Sequence, residues 1–332
     1  MSDLRYDPVT GVWVTIARNR LDRPSEYVPL EQVRQQLICP FCRGNEEETP
    51  TTIIAYFPDG KTLGPSDDKS DWAVRVVPNK FPSFTDSIHR LADTGPWQIS
   101  SGTGAQELII PSSRHLTSFS ELSDDEVRVT FQAAQQRISA MNADDSIQHA
   151  MLFQNCRAAA GASLGHVHLQ LIGSPIVSGH LMRRVDRDLN SRLELGSGLL
   201  DRITRWELEQ DQRVILRTEN FAAYCPFASR FAFQVWIVPD SSEGGFARCD
   251  SARRDELAEL CREVISRFEN QLDNPSYNWL LHIPPFKEET NERADYWYLE
   301  LFPRLTSAAG YEMGTNTWVN PVTPEAAARR LR

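Results

Sequence analysis

Two histidines and a glutamine, each two residues apart, form the pattern in this chain with the clearest chemical potential. The residues are His166, His168 and Gln170, and they follow a turn of small residues at 161–165. If the segment is a β-strand, alternate side chains point to opposite faces, so these three share one face. A neutral imidazole can act as a nucleophile near pH 7, and an amide can donate hydrogen bonds to an anion. The alternative is a half-exposed strand that carries two solvated histidines.

A Cys-x-x-Cys pair near the N-terminus, Cys39 and Cys42, offers a second kind of chemistry. Two thiolates at this spacing can bind one Zn²⁺, and a tetrahedral site then requires two further ligands. The rival interpretation is a thioredoxin-like redox pair, which opens a helix inside a βαβ unit. The acidic segment 46–50 that follows does not resemble such a helix. The pattern therefore favours zinc.

A loop rich in arginine precedes the cysteine pair. Arg18, Arg20 and Arg23 fall within six residues of one another. Guanidinium groups bind phosphate oxygens through paired hydrogen bonds, so this loop could hold a phosphorylated substrate. A solvated surface loop is the other interpretation, and the local sequence alone favours it.

Composition limits the class of protein and its partners. The chain has 332 residues, 41% of them hydrophobic and 24% charged, which is typical of a soluble globular protein. The formal net charge is -10 without a basic tract, so we expect no nucleic-acid partner. No segment is apolar enough for a membrane span or a signal peptide. Of the six cysteines only one pair is close in sequence, which predicts a reducing, cytoplasmic location.

Turn and capping signals predict the order of the elements. An Asp-Pro and a following Gly predict a hairpin over 4–16. Ser123 with Glu126 fits a capping box, which predicts a helix over about 123–142. A charged segment predicts a second helix at about 178–196. Further segments are predicted as a long loop at 83–104 and as strands at 72–82, 106–111 and 149–155. In the second half, a helix over 256–272 is predicted as the match of the helix at 123–142.

The second half of the chain repeats the pattern of the first half. Pro239 lies 128 residues after Pro111, and Tyr296 lies 130 residues after His166, in matching segments. A repeat of this length indicates a duplicated domain rather than a solenoid. We therefore predict domains at 1–195 and 196–332. In the second copy the histidines and glutamine of the first are replaced by Tyr296, Tyr298 and Glu300.

The order strand, helix, strand, His-x-His-x-Gln resembles the histidine-triad superfamily. The duplication, the cysteine pair and the arginine loop narrow the resemblance to the galactose-1-phosphate uridylyltransferase family. Segments 7–13 and 310–313 also match that family's pattern. The resemblance implies an α+β fold of duplicated histidine-triad-like domains, with antiparallel β-sheets flanked by helices. It also implies a homodimer.

The resemblance implies a ping-pong nucleotidyl transfer. His168 would attack the α-phosphorus of a nucleotide sugar, and Gln170 would donate to the non-bridging oxygens. The substrates would be a nucleotide sugar and a sugar-1-phosphate or phosphate. The substrate-binding residues carried over from the family are Arg20, Arg23, Asn79, Asn155, Gly161, Ser163, Tyr311 and Glu312. The implied ligands of one structural zinc are Cys39, Cys42, His115 and His166.

The chain departs from the family's better-known members at two places. Their second metal site uses histidines where this chain has tyrosines, and only His282 remains, so we expect no second metal. The stretch 306–309 lacks the lysine found there, and the tail resembles the ADP-glucose phosphorylase branch. UDP-glucose with galactose-1-phosphate is therefore the first substrate hypothesis, and ADP-glucose with phosphate is the alternative. An inactive, zinc-containing nucleotide-binding protein is the alternative of another class.

Overall fold

The computed structural model describes residues 2–7, 12–17, 38–63, 72–85, 97–240, 245–286 and 296–332. The strands are β1 Ser2–Asp7, β2 Val12–Ala17, β3 Ile54–Tyr56, β4 Val74–Pro78, β5 Gln98–Ser101, β6 Ala105–Ile110, β7 His149–Cys156, β8 Leu169–Ser174, β9 Val214–Arg217, β10 Phe221–Tyr224, β11 Val235–Pro239, β12 Tyr277–His282 and β13 Tyr298–Pro303. The helices are α1 Asp124–Asn142, α2 Gly179–Leu195, α3 Leu199–Gln210, α4 Gly245–Arg248, α5 Ser251–Gln271, α6 Gly310–Thr315 and α7 Pro324–Leu331.

One continuous sheet of ten strands runs through the described part of the chain, in the order β3-β4-β6-β8-β7-β12-β13-β11-β10-β9. All its neighbouring strands pair antiparallel. The order reads as two five-stranded halves that meet at β7 and β12. At this junction Phe153 pairs with Leu280, and each also pairs with the corresponding residue of its own half, Gln170 or Glu300. The α+β class with antiparallel sheet and flanking helices is confirmed.

Helices and loops cover the two faces of this sheet differently. On one face α1 and α5 pack together over a core that includes Leu169, Leu171, Leu299 and Leu301. On the other face a cluster around Phe41 covers the first half. In the second half, residues of α2 and α3 pack on that face. The predicted border between 195 and 196 falls between these two helices, and it stays a prediction.

Helix α1 shows why the local sequence predicted its ends well. Ser123 caps it, accepting from the Glu126 N–H while the Glu126 carboxylate accepts from the Ser123 N–H. Such a cap stabilises a helix by about 1 kcal/mol. The stripe at Val127, Phe131 and every third or fourth residue after it is buried, as the period of an α-helix requires. The predicted helix at 178–196 is likewise confirmed as α2, which Ser178 caps.

Two predictions of local structure need correction, and a third is confirmed. Residues 83–104, predicted as a loop, contain β5, which pairs with β1 in a separate three-stranded sheet. Its partner lies more than 90 residues away, so no local signal marks it. Helix α5 begins at Ser251, five residues before the predicted match at Glu256, because Asp250 caps it. The hairpin over 4–16 is confirmed as β1 and β2.

The strand predicted to hold the two histidines begins later than the sequence suggested. The pairing of β8 with each of its neighbours, β6 and β7, ends at Leu169, which pairs with Ile109 and Gln154. His166 and His168 therefore lie in the segment that leads into the strand, and Gln170 lies within it. The Val167 N–H donates to the Leu116 carbonyl at 2.7 Å, outside the sheet. In the described residues, no helix has the length and apolar character needed to cross a bilayer.

Candidate active site and metal-ligand cluster

The imidazole of His168 is held in one tautomer. Its Nδ1 lies 2.8 Å from the carbonyl oxygen of His166, and because a carbonyl only accepts, Nδ1 must carry the proton. The neutral ring then has its lone pair on Nε2. The ring is 4% exposed and lies 5.3 Å, between centroids, from the ring of Phe41. A buried imidazole with a fixed orientation, whose lone pair is on Nε2, has the form of a positioned nucleophile.

The amide of Gln170 is oriented by a relay that starts at a backbone N–H. The Ser83 N–H donates to Oε1 of Gln106 at 2.7 Å, so the other end of that amide is a donor. Nε2 of Gln106 then donates to Oε1 of Gln170 at 3.1 Å. The Gln170 amino group consequently points away from Gln106 and is available to donate. A fixed donor of this kind suits charge that develops on phosphate oxygens.

A cavity of about 160 Å³ opens beside these two side chains. Its polar lining comes from His168, Gln170, Ser163 and Asn79, and also from Glu48, Thr49 and Lys80. The remaining wall is largely apolar and includes Ile38, Phe41, Val77, Phe81, Leu108 and Leu164. A cavity lined by both polar and apolar groups suits a small ligand with a charged and an uncharged part.

The other predicted residues of the first half lie close to this cavity or support it. Asn79 lines it, and its Oδ1 accepts from the Phe81 N–H at 2.9 Å. Asn155 is not among the lining residues, and its Oδ1 accepts from Asn278 at 2.8 Å. Gly161 has φ +89°, in the left-handed region that favours glycine, and the Asn155 amide would lie 3.7 Å from an added Cβ. Asn278 donates to both the Asn155 amide oxygen and the Ala160 carbonyl, which links Asn155 to the turn that leads to the histidine segment.

Four side chains from three separate segments converge beside the histidine segment. One donor atom from each of Cys39, Cys42, His115 and His166 lies within 4.8 Å of the others. Sulfur-to-nitrogen distances are 3.5 Å for Cys39 to His166, 3.3 Å for Cys42 to His115 and 3.6 Å for Cys42 to His166. Tetrahedral zinc with ordinary bond lengths separates a sulfur from a nitrogen by about 3.6 Å. The group thus fits a tetrahedral metal ion.

The protonation of these donors also fits a cation. Nε2 of His166 lies 3.0 Å from the Ser112 carbonyl and must donate to it, which turns the Nδ1 lone pair toward the cysteines. Burial lowers the pKa of His166 to about 4, so the ring is neutral at pH 7. Burial raises the pKa of the Cys39 thiol to about 11, and a bound cation would offset this by stabilising the thiolate. The hydrogen bond to Ser112 orients the ligand ring.

The structure does not bring every predicted residue to the cavity. Arg20 and Arg23 lie outside the described residues. Tyr311 is 59% exposed on α6, and the Glu312 carboxylate accepts from the Ala309 N–H at 3.0 Å. Neither residue lines the cavity beside His168. Their role in substrate binding stays a prediction.

Sequence reasoning missed two residues that act on the site. Phe41 lies between the cysteines, yet its ring packs against both His166 and His168. Gln106 orients Gln170, and a signal for it was present in the repeat. Gln234 occupies the matching position in the second copy, 128 residues later. A buried polar residue that is present at the matching position of both copies is a candidate for an internal hydrogen bond.

Fold and site together define a class of protein. It is a duplicated, histidine-triad-like α+β protein with an oriented imidazole and amide in one half and a metal-ligand cluster beside them. The model described as "Galactose-1-phosphate uridyl transferase, N-terminal domain" matches residues 1–178, more than half of the chain. The chain belongs to the galactose-1-phosphate uridyl transferase family, which confirms the resemblance noted in its sequence.

Two relatives and one solved structure show the range of this similarity. ADP-glucose phosphorylase of Arabidopsis thaliana is 28% identical over 337 residues, covering 99% of this chain and 92% of its own length. Galactose-1-phosphate uridylyltransferase of Thermotoga maritima is 24% identical over 354 residues, covering 100% and 98%. The crystal structure of an Arabidopsis thaliana ADP-glucose phosphorylase with bound ADP-glucose superimposes with a TM-score of 0.75 at 26% identity, covering 100% and 99%.

Proposed function

We propose that this chain transfers a nucleoside monophosphate between a sugar-1-phosphate and another phosphate through a covalent nucleotidyl-His168. The observation that carries the proposal is the tautomer of His168, whose Nδ1 donates to the His166 carbonyl. This bond presents Nε2 as the nucleophile, and it stabilises the positive charge that the ring acquires after attack. Family membership supplies the reaction class.

The proposed reaction has two steps. In the first, Nε2 of His168 forms a bond to the α-phosphorus, the bond to the bridging oxygen breaks, and the sugar-1-phosphate leaves with the electron pair. The Gln170 amino group donates to a non-bridging oxygen as charge develops there. In the second step an oxygen of the acceptor phosphate attacks the same phosphorus, and His168 departs as the neutral ring.

Two substrate pairs are candidates. The first is UDP-glucose with galactose-1-phosphate, supported by the family model and by the relative from Thermotoga maritima. The second is ADP-glucose with inorganic phosphate, supported by the Arabidopsis thaliana relative and the structure with bound ADP-glucose. Both candidates use the same covalent step at His168.

Intact-mass measurement without an acceptor tests the covalent step and separates the substrates. The chain is mixed with UDP-glucose in one experiment and with ADP-glucose in another. A mass gain of one uridylyl group supports the first pair, and a gain of one adenylyl group supports the second. His168→Ala should abolish either gain. No gain with either donor would reject both substrate pairs and would favour the inactive nucleotide-binding protein.

We further propose that the four-donor cluster holds one structural zinc ion. It would join the segment of Cys39 and Cys42 to the histidine segment and so fix the position of His168. Metal analysis of the purified chain should give about one zinc ion per chain. Cys39→Ser should lower the zinc content and the melting temperature. Cys249→Ser, a half-buried cysteine outside the cluster, is the matched control and should change neither.

If the purified chain contained no zinc and Cys39→Ser left the melting temperature unchanged, the zinc site would be rejected.

The remaining expectations belong to the proposal on the transfer reaction. They are a homodimer, a cytoplasmic location, no nucleic-acid partner, and phosphate or sugar contacts from Arg20, Arg23, Asn79, Asn155, Gly161, Ser163, Tyr311 and Glu312. The absence of a second metal also stays a prediction.

A further inference from the structure

The second half of the sheet carries a cavity of its own, on the same face as the cavity beside His168. Its volume is about 300 Å³. Tyr296, Tyr298 and Trp236 form one wall, and the repeat places them at the positions of His166, His168 and Leu108. Helices α2 and α3 form the opposite side, and the described residues that precede α2 contain no matching pair of helices. The cavity is thus the second copy of the candidate active site, lined by different side chains.

Positive charge surrounds this cavity. Among the described residues, Arg184, Arg187 and Arg230 line it, and Asp188 is the one carboxylate that does so. The Asp188 carboxylate is already paired within the protein, since its two oxygens accept from Arg192 at 2.7 Å and from the Leu199 N–H at 2.8 Å. The balance of charge facing the cavity therefore favours an anion.

The carboxylate of Glu300, behind the cavity wall, is also paired with protein groups. Glu300 accepts from Arg230 at 2.7 Å and from Nε2 of His282 at 2.6 Å. Nδ1 of His282 accepts from Arg184 at 2.8 Å. Both ring nitrogens are thus engaged with protein groups, and the ring has no lone pair to offer a cation. Glu300 offsets the charge of Arg230, and among the described residues no ion pair links Arg184 or Arg187 to a carboxylate.

Two buried donors in the cavity wall lack partners. The hydroxyl of Tyr296, a residue only 4% exposed, has no hydrogen-bond partner among the described residues. The indole Nε1 of Trp236 is buried and unpartnered in the same part of the chain. A buried polar group without a partner costs about 1–3 kcal/mol, so each points to a ligand or ordered water that completes it.

We propose that this cavity binds a small phosphate monoester, with the phosphate at the arginines and the organic part against the aromatic wall. Phosphate suits the paired donors of guanidinium groups, and a sugar or base suits aromatic faces. The volume is that of a small-ligand site. The ligand class is a sugar phosphate or a nucleoside monophosphate, bound separately from the cavity beside His168.

Binding stoichiometry of the full chain tests this site without relying on the transfer reaction. Calorimetric titrations use AMP in one series and glucose 1-phosphate in another, with the wild type, Arg187→Gln and Arg183→Gln. Arg183 is the matched control because it is an exposed arginine on the same helix that does not line the cavity. We expect Arg187→Gln to weaken one binding site about tenfold or more, while Arg183→Gln leaves it unchanged.

Two further results complete the test: which of the two probes loses a binding site, and how Tyr296→Phe affects the same site. Loss of an AMP site would identify a nucleotide ligand, and loss of a glucose 1-phosphate site would identify a sugar phosphate. Tyr296→Phe, which removes only the unpartnered hydroxyl, should weaken the same site several-fold while the melting temperature is kept. Identical stoichiometry and affinity in the wild type and Arg187→Gln, with both probes, would overturn the proposal.

Discussion

The two halves of the sheet build the same hydrogen-bond relay and end it differently. In the first half Gln106 donates to Gln170, and in the second half Gln234 donates to Glu300 at 2.5 Å. Each relay begins at a backbone N–H, from Ser83 in one half and from Arg230 in the other. The strand framework therefore sets the relay, and the residue at its end decides what the half can do.

The residue at the end of each relay, Gln170 or Glu300, also determines how the neighbouring side chains are hydrogen-bonded. Gln170 is neutral and presents a donor beside His168, whereas Glu300 is a carboxylate that attracts cations. Strand pairing places His282 at the position of Asn155, since Phe153 and Leu280 lie opposite Gln170 and Glu300. In the second half, His282 and Arg230 both donate hydrogen bonds to the carboxylate of Glu300. The Gln170 amide thus lies at the cavity beside His168, whereas the two matching donors of the second half are bound to Glu300, and Arg184 and Arg187 line the second cavity instead.

The largest expected effect concerns the residue at the nucleophile position in each half. His168→Ala removes the attacking nitrogen, and we expect turnover to fall by a factor on the order of 10⁴ or more. Tyr298→Phe alters the matching position of the second half and should leave turnover within about twofold. Steady-state rates with the donor identified by intact mass give both values. Equal losses in the two variants would break the distinction between a reactive and an unreactive half.

The second effect concerns stability and its dependence on pH. Burial opposes ionisation of Glu300, but the hydrogen bond from His282 and the charge of Arg230 outweigh it and lower the pKa from 4.5 to about 2. The unfolded chain takes up the proton first as the pH falls, so this contribution is present above pH 4.5 and is lost toward pH 2. Glu300→Gln should lower the free energy of unfolding at pH 7 by about 2–3 kcal/mol.

Denaturant titrations at pH 7 and at successively lower pH measure this effect. Glu300→Gln should also show a shallower loss of stability between about pH 4.5 and 2 than the wild type. Glu263→Gln is the control, because its ion pair with Arg267 is an exposed one on α5. Such pairs contribute about 0–1 kcal/mol. A loss in Glu300→Gln no greater than in this control would show that the buried cluster does not stabilise the second half.

The smallest expected effect sharpens the comparison of the two relays. In Gln106→Glu one carboxylate oxygen can still accept from Ser83, but the other accepts where Gln106 donated. Gln170 must then rotate its amide and present oxygen to the phosphate, so we expect kcat to fall about tenfold with little change in KM. Gln106→Leu adds no charge and should give a smaller loss.

The same substitution in the second half should act on stability instead. Gln234→Glu places a carboxylate against Glu300, which should lower the melting temperature without changing kcat. Kinetics and thermal unfolding of the two Gln→Glu variants, compared side by side, test this division. A wild-type kcat in Gln106→Glu would show that the orientation of Gln170 does not depend on the relay.

Much of the fold followed from short-range patterns in the sequence. The capping box at Ser123 gave the start of α1, and Ser178 and Gly196 mark the cap positions of α2. The repeat predicted which segments correspond in the two halves. The loop prediction at 83–104 failed because β5 is defined by pairing with a distant strand. Local signals describe helices and turns well, whereas the pairing of an isolated strand depends on the partner that the fold brings to it.

By itself, the sequence determined the chemical groups of the candidate site and their order. His166, His168 and Gln170 alternate, the cysteines have ligand spacing, and a resemblance to a family related them to His115. Only the tertiary structure decided that four donors from three segments meet within 4.8 Å. It also decided which His168 nitrogen carries the proton and which way the Gln170 amide faces. These properties depend on hydrogen-bond partners supplied across the fold, and residue spacing does not encode them.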